Sequence, residues 1–125
     1  MSTKRVLVVE DVEMNRKLVR IVLTTKGYEI IEATHAEEAL EILQTEVPDL
    51  ILMDIALPGI SGEELTRQIK ADPRWCHVPI IALTAAAMKG DREQFLSAGC
   101  NDYISKPIDT HALAEIVDRY LLKEF

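Results

Sequence analysis

The feature that most constrains the fold is a set of short, continuous apolar runs spaced along the chain. Runs that are continuous rather than alternating are typical of strands covered on both faces of a sheet. A further segment alternates apolar and polar residues, which suits an edge strand. The continuous runs are 6–9, 50–53, 79–83 and the weaker 102–104, and the alternating segment is 28–33.

Amphipathic stretches separate these runs and predict five helices, at 12–26, 36–46, 62–71, 87–98 and 110–122. The alternation of strand and helix, with short connections, predicts an α/β fold. We expect a parallel sheet with right-handed crossovers and helices on both faces. The residues expected to face the core include Leu18, Ile21, Val22 and Thr25 of the first helix, and Met88, Phe95 and Leu96 of the fourth.

Composition limits the class of protein. The 125 residues suffice for one domain, and 48% hydrophobic with 28% charged residues is typical of a globular chain. The net charge of −7 argues against nucleic acid as a partner. No apolar run approaches the ~20 residues of a membrane span, and no signal peptide is visible at residues 1–5. We therefore expect a cytoplasmic protein whose Cys76 and Cys100 are reduced, packed thiols.

Polar side chains follow the apolar runs where each predicted strand ends. They are Glu10 and Asp11, then Asp54, then Thr84, and finally Ser105, Lys106 and Pro107. Taken singly, an aspartate after a strand is more often a turn or helix-capping residue. Open α/β sheets, however, bind ligands at the carboxyl ends of their strands. The joint pattern therefore predicts a site with three carboxylates, a hydroxyl and an ammonium group.

The chemistry of this set points to phosphoryl transfer. Close carboxylates repel each other, which raises their pKa values unless a cation intervenes. An all-oxygen ligand set with vacant positions suits Mg²⁺. A carboxylate beside that ion can attack phosphorus and form an acyl phosphate. Lys106 would neutralise charge and Thr84 would donate a hydrogen bond to a phosphoryl oxygen.

At this point the sequence resembles the receiver domain of two-component response regulators, over essentially its whole length. The resemblance is carried by VLVVED (6–11), PDLILMDIALPGISG (48–62), PIIALTA (79–85) and YISKP (103–107). The single-domain chemotaxis regulator and the receivers of hybrid histidine kinases are the nearest types, with a hybrid-kinase and cell-cycle-regulator style of motif. The resemblance implies a flavodoxin-like (βα)5 doubly wound parallel sheet with strand order 2-1-3-4-5. It also implies a single receiver domain over residues 1–125, with no output domain.

The same resemblance implies roles for the site residues. Asp54 would be the phosphoacceptor, receiving its phosphoryl group from a histidine kinase or a histidine phosphotransfer protein. Asp11, Asp54 and the backbone carbonyl of Ala56 would ligate Mg²⁺, with Glu10 acting through water and Mn²⁺ as an alternative ion. Thr84 would be the switch hydroxyl and Lys106 the phosphate-contacting cation.

The resemblance further implies a switch. Tyr103 matches the family's aromatic switch, with ordinary strand packing as the alternative, and the bond from Lys106 to Pro107 is implied to be cis. Phosphorylation adds one or two negative charges and would alter the surface formed by residues 87–122. A downstream target would bind that surface in trans, and we expect a monomer or a weak homodimer. Val12, Met14 and Asn15 are a candidate docking surface for the kinase, although core packing is an equal alternative for Met14.

Two other classes of function stay open. A Mg²⁺-dependent phosphatase would need a second acid/base residue near the nucleophile, and Ala56 stands where one would be expected. Ala56 and Ala86 also offer no polar side chain to position an attacking water, so we expect no rapid self-dephosphorylation. A flavodoxin-like cofactor binder would need a glycine-containing phosphate loop after the first strand, and EDVEMNRK is acidic and lacks glycine. The scattered histidines His35, His77 and His111 are assigned no role.

Overall fold

The computed structural model describes residues 3–85 and 89–122. Strands and helices alternate along the chain, as the apolar runs predict. The strands are β1 (Arg5–Val9), β2 (Glu29–Ala33), β3 (Leu50–Asp54), β4 (Ile80–Thr84) and β5 (Asp102–Ser105). The helices are α1 (Glu13–Thr25), α2 (Ala36–Thr45), α3 (Gly62–Ala71), α4 (Lys89–Ala98) and α5 (Thr110–Leu121). None of the helices described here is long and apolar enough to cross a membrane.

The strands form one parallel sheet in the order β2-β1-β3-β4-β5, which confirms the predicted fold. The alternating segment forms β2, which is an edge strand as expected, whereas central β3 is buried along its whole length. The chain leaves β1 for β2 on one side and then returns to β3 on the other. Such a reversal of strand order opens a crevice at the carboxyl ends of the two strands concerned, here β1 and β3.

Side chains from the two faces of the sheet pack into two apolar clusters. Val6 and Val8 of β1 face a cluster that includes α1 and α5, and Leu7 and Val9 face a cluster that includes α2, α3 and α4. Because both faces are covered, the strands are held at fixed register. The residues at their carboxyl ends therefore have fixed relative positions.

The predicted buried face of α1 is wrong in part. Val19 and Leu23 are buried, whereas Ile21 is 52% exposed and Thr25 is also exposed. At 3.6 residues per turn, Ile21 lies about 200° around the helix axis from Val19, which places it on the solvent side. The helix carries apolar residues on both sides, so periodicity alone did not select the face that packs against the sheet.

Two other packing predictions need correction. Phe95 of α4 is buried as expected, but Leu96 is exposed, while Met88 lies outside the described residues. Both cysteines are free thiols, with Cys100 buried and Cys76 exposed in the loop between α3 and β4. Cys76 is therefore not a packed thiol, because in this loop Trp75 and Val78 occupy the buried positions.

Gly62 lets α3 begin directly against the end of β3. A Cβ atom on Gly62 would lie 2.0 Å from the carbonyl oxygen of Asp54 and 2.9 Å from the Cα of Ile55. The Gly62 N–H also donates to the carbonyl of Ile55 at 3.1 Å. These atoms belong to the backbone and cannot rotate away, so this position has no room for a side chain.

We expect Leu23→Ala to lower the free energy of unfolding by about 2–5 kcal/mol, because it empties a buried site. Ile21→Ala should change it by less than about 1 kcal/mol, since this side chain is half exposed. Urea unfolding followed by circular dichroism measures both values. A larger loss for Ile21→Ala than for Leu23→Ala would show that α1 packs on its other face.

We expect Gly62→Ala to lower the free energy of unfolding by about 1–3 kcal/mol, through overpacking against the β3 backbone. Glu64→Ala is the matched control in the same helical turn. It removes only a surface ion pair with Arg67 and should cost less than about 1 kcal/mol. Equal stability of the two variants in urea unfolding would contradict the close approach of α3 to Asp54.

Candidate functional site

Two neighbouring strands bring three carboxylates together. Glu10 and Asp11 directly follow β1, and Asp54 is the last residue of β3. The two strands pair with Val9 opposite Met53, so their ends coincide. One carboxylate oxygen from each acidic residue lies within 4.8 Å of the other two. Glu10 and Asp54 are buried, at 0% and 2% exposure, whereas Asp11 is exposed.

Lys106 lies between the two buried carboxylates. Its Nζ is 3.0 Å from Glu10 Oε1 and 3.1 Å from Asp54 Oδ1. The Lys106 N–H donates to the carbonyl of Thr84 at 2.8 Å, which ties this residue to the end of β4. The bond from Lys106 to Pro107 is cis.

Backbone donors orient the same two carboxylates. Glu10 Oε2 accepts a hydrogen bond from the N–H of Val12 at 3.1 Å. Asp54 Oδ1 accepts one from the N–H of Ala56 at 3.0 Å. Over the described ranges, the carboxylate of Asp11 has no ion pair or hydrogen bond. Asp11 is thus the carboxylate with the most freedom to take an external ligand.

Burial and pairing compete in setting the pKa values of the site. Burial raises the pKa of Glu10 above its usual value, and this outweighs the lowering by Lys106 and by the Val12 N–H. Burial by itself would lower the pKa of the Lys106 ammonium group. Its hydrogen bonds and charge interactions with Glu10 and Asp54 outweigh that effect, so the pKa of Lys106 is raised. Lys106 therefore stays charged at neutral pH.

The donor set fits a hard divalent cation. Two full charges 4.8 Å apart repel each other by about 3 kcal/mol at an effective dielectric constant of about 20. One ammonium group cannot balance three carboxylates. Glu10 Oε1 is buried, and apart from the Lys106 ammonium it has no hydrogen-bond partner in the described part of the chain. Oxygen ligands that leave coordination positions open suit Mg²⁺, which keeps several waters.

A cleft of about 310 Å³ opens beside these carboxylates. Asp54, Ala56, Thr84 and Lys106 line it, so the structure brings together most of the predicted site. Thr84 is buried at the end of β4. Ile55 and Ala85, which directly follow Asp54 and Thr84, also line it. Three further lining residues were not predicted to belong to the site, namely Glu63, Gln94 and Phe95. They lie in α3 and α4, and no motif marks them, because only the packing of these helices brings them to the sheet edge.

Tyr103 lies apart from this cleft. It is partly buried against the cluster that includes α2, α3 and α4, and its hydroxyl accepts a hydrogen bond from Arg92 Nη1 at 3.2 Å. The guanidinium carbon of Arg92 is 5.7 Å from the centre of the Tyr103 ring. Tyr103 thus joins β5 to α4. Ala86, which like Ala56 offers no polar side chain, lies outside the described residues.

His35, which was assigned no role, has a structural one. Its Nδ1 accepts a hydrogen bond from the N–H of Glu38 at 3.3 Å and so caps the start of α2. His35 is thus a helix cap and lies outside the candidate site.

Known proteins are similar to this chain in sequence and in fold. Residues 6–118 match the family described as the response regulator receiver domain. The polar-differentiation response regulator DivK of Brucella ovis is 48% identical over 119 residues, covering 95% of this chain and 97% of that protein.

Solved structures agree with this family match. A putative response regulator from Chloroflexus aurantiacus superposes with a TM-score of 0.92 at 31% identity, covering 98% of this chain and all of that one. The receiver domain of a sensor histidine kinase from Pseudomonas aeruginosa has a TM-score of 0.88 at 37% identity, with coverage of 98% and 100%. That neighbour has a magnesium ion coordinated in its active site cleft. On its sequence and its fold, the chain belongs to the response regulator receiver domains of two-component signalling.

Proposed function

We propose that this receiver domain is a phosphorylation-activated switch that accepts a phosphoryl group on Asp54 in a Mg²⁺-dependent reaction. The donor is a phosphohistidine on a histidine kinase or on a histidine phosphotransfer protein. One observation carries the proposal. The Asp54 carboxylate is held at the end of the central strand, in a cluster with Glu10 and Asp11, beside Lys106 and at the wall of a cleft.

The reaction exchanges one bond to phosphorus for another. An oxygen of the Asp54 carboxylate forms a bond to phosphorus while the phosphorus–nitrogen bond to the donor histidine breaks. The histidine nitrogen keeps the electron pair of the broken bond and takes up a proton from solvent. Asp54 becomes an acyl phosphate. The rigid β3 strand and the hydrogen bond from the Ala56 N–H orient the attacking carboxylate.

Asp11, Asp54 and the backbone carbonyl of Ala56 would hold the Mg²⁺ ion, with Glu10 acting through water and Mn²⁺ as an alternative ion. Bound Mg²⁺ supplies neutralisation of the charge on the phosphoryl oxygens. The all-oxygen cluster supports this assignment, as does the magnesium ion in the related Pseudomonas receiver. Lys106 supplies a second positive charge beside Asp54, with its Nζ 3.1 Å from Asp54 Oδ1.

Thr84 and Lys106, which line the cleft with Asp54, would contact the new phosphoryl group. Lys106 would exchange part of its pairing with Glu10 and Asp54 for the phosphoryl oxygens, and the Thr84 hydroxyl would donate to them. Tyr103 would then change its contact with Arg92 and so alter the surface of α4, β5 and α5. A target protein would bind this altered surface in trans, and the domain would act as a monomer or a weak homodimer.

The start of α1 would dock the phosphoryl donor. Met14 is 74% exposed, so the core-packing alternative for this residue is wrong, and Val12 is exposed beside it. Val12 directly follows Asp11 and Met14 is two residues further on, and the Val12 N–H donates to Glu10 of the carboxylate cluster. An exposed apolar patch beside a reactive group suits a protein partner.

We also propose that the domain does not turn over small phosphomonoesters as a phosphatase does. Ala56 is exposed near the acceptor and has no group that can position or activate water. The acyl phosphate should therefore persist long enough to act as a signal. Multiple turnover of a small phosphomonoester would contradict this assignment.

We expect Asp54→Asn to abolish labelling of the protein by acetyl phosphate, because an amide is not a nucleophile for phosphorus. The wild-type protein should gain one phosphoryl group in the presence of Mg²⁺ and none when EDTA is added. Intact-protein mass spectrometry measures the gain.

Asp72→Asn is the matched control, since it makes the same chemical change in the loop between α3 and β4, away from the cleft. This variant should label as the wild type does. Labelling that survives in Asp54→Asn, or that is indifferent to Mg²⁺, would overturn the assignment of Asp54.

A further inference from the structure

Arg16 of α1 holds the turn that carries two of the three carboxylates. Its Nη1 donates to the backbone carbonyls of Glu10 and Asp11, at 3.0 and 3.2 Å. Its side chain is only 16% exposed. One guanidinium nitrogen thus bridges two consecutive carbonyls in the segment between β1 and α1.

The guanidinium group is itself anchored to a neighbouring strand. Arg16 Nε donates to Glu32 Oε1 of β2 at 3.2 Å. The same turn is tied to β2 a second time, because the Glu10 N–H donates to the carbonyl of Ala33 at 3.0 Å. Arg16 therefore restricts the backbone of Glu10 and Asp11, and β2 restricts Arg16.

We propose that Arg16 is a positioning residue for the divalent cation, acting through the backbone of Glu10 and Asp11. The inference rests on the proposed function, in which these two residues help to hold Mg²⁺. Asp11 has no side-chain partner within the described ranges, so its orientation depends on its backbone. A guanidinium group that fixes both carbonyls reduces the ordering that metal binding would otherwise require.

Positioning by Arg16 and a simple charge effect predict opposite changes in Mg²⁺ affinity when Arg16 is removed. Arg16 carries a positive charge close to the cation site, so by Coulomb repulsion alone its removal should strengthen Mg²⁺ binding. By positioning, its removal should weaken binding, because the turn loses its anchor. The direction of the change in affinity therefore distinguishes the two accounts.

Arg20 supplies a matched control. Its Nη1 pairs with the other oxygen of the same Glu32 carboxylate at 2.6 Å, one helical turn further along α1. In the part of the chain that the structure describes, Arg20 has no hydrogen bond to the turn at residues 10–12. Arg20→Met therefore removes an arginine and its Glu32 pair while leaving the carbonyl contacts in place.

The test is titration of the full chain with MgCl₂ by isothermal calorimetry, repeated with MnCl₂. We expect Arg16→Met to raise the Mg²⁺ dissociation constant about tenfold, the size typical of residues that orient metal ligands. Arg20→Met should stay within about twofold of the wild type. Arg16→Lys keeps the charge but lacks the planar fork, so we expect it to bind more weakly than the wild type and more tightly than Arg16→Met.

An unchanged or tighter Mg²⁺ affinity in Arg16→Met would overturn the proposal, as would equal losses in Arg16→Met and Arg20→Met. Circular dichroism in the absence of Mg²⁺ checks that each variant is folded. If Arg16→Met does not fold, the Mg²⁺ affinity of Arg16→Lys becomes the test. A wild-type affinity in that variant overturns the proposal. Failure of the wild-type chain to bind Mg²⁺ would instead overturn the proposed function.

Discussion

The contact of Lys106 with Glu10 and Asp54 is the interaction on which the candidate site depends. Two buried carboxylates at the ends of neighbouring strands repel each other, and the ammonium group between them offsets that repulsion. The same contact joins β1, β3 and the segment after β5 at one edge of the sheet. A phosphoryl group that draws Lys106 away would therefore change contacts at all three places.

The rigidity of the sheet keeps the strand ends, and so the charged groups on them, at fixed relative positions. β3 and β4 are buried along their whole lengths, and helices cover both faces of the sheet, so Asp54 and Thr84 have little freedom to move apart. Gly62 extends this constraint by letting α3 start against the Asp54 backbone. In the proposed switch, a change in charge at Asp54 would therefore be accommodated in the segments outside the strands.

Two arginines outside the carboxylate cluster hold segments of the chain in place. Arg16 holds the carbonyls of the turn that carries Glu10 and Asp11. Arg92 holds the hydroxyl of Tyr103 on the opposite side of the domain. No motif in the sequence marks either residue, because each contact joins segments that only the folded chain brings together. Arg16 links the acidic turn to β2, and Arg92 links β5 to α4.

The sequence by itself determined the alternation of strands and helices and the polar residues at the strand ends, since these follow from local periodicity and from the parallel sheet it requires. It did not determine which side of α1 faces the sheet, because apolar residues lie on both sides of that helix. Tertiary packing decided that Leu23 is buried and Ile21 exposed. It also placed Arg16 on the acidic turn, since only the assembled sheet sets the distance between α1, β2 and the end of β1.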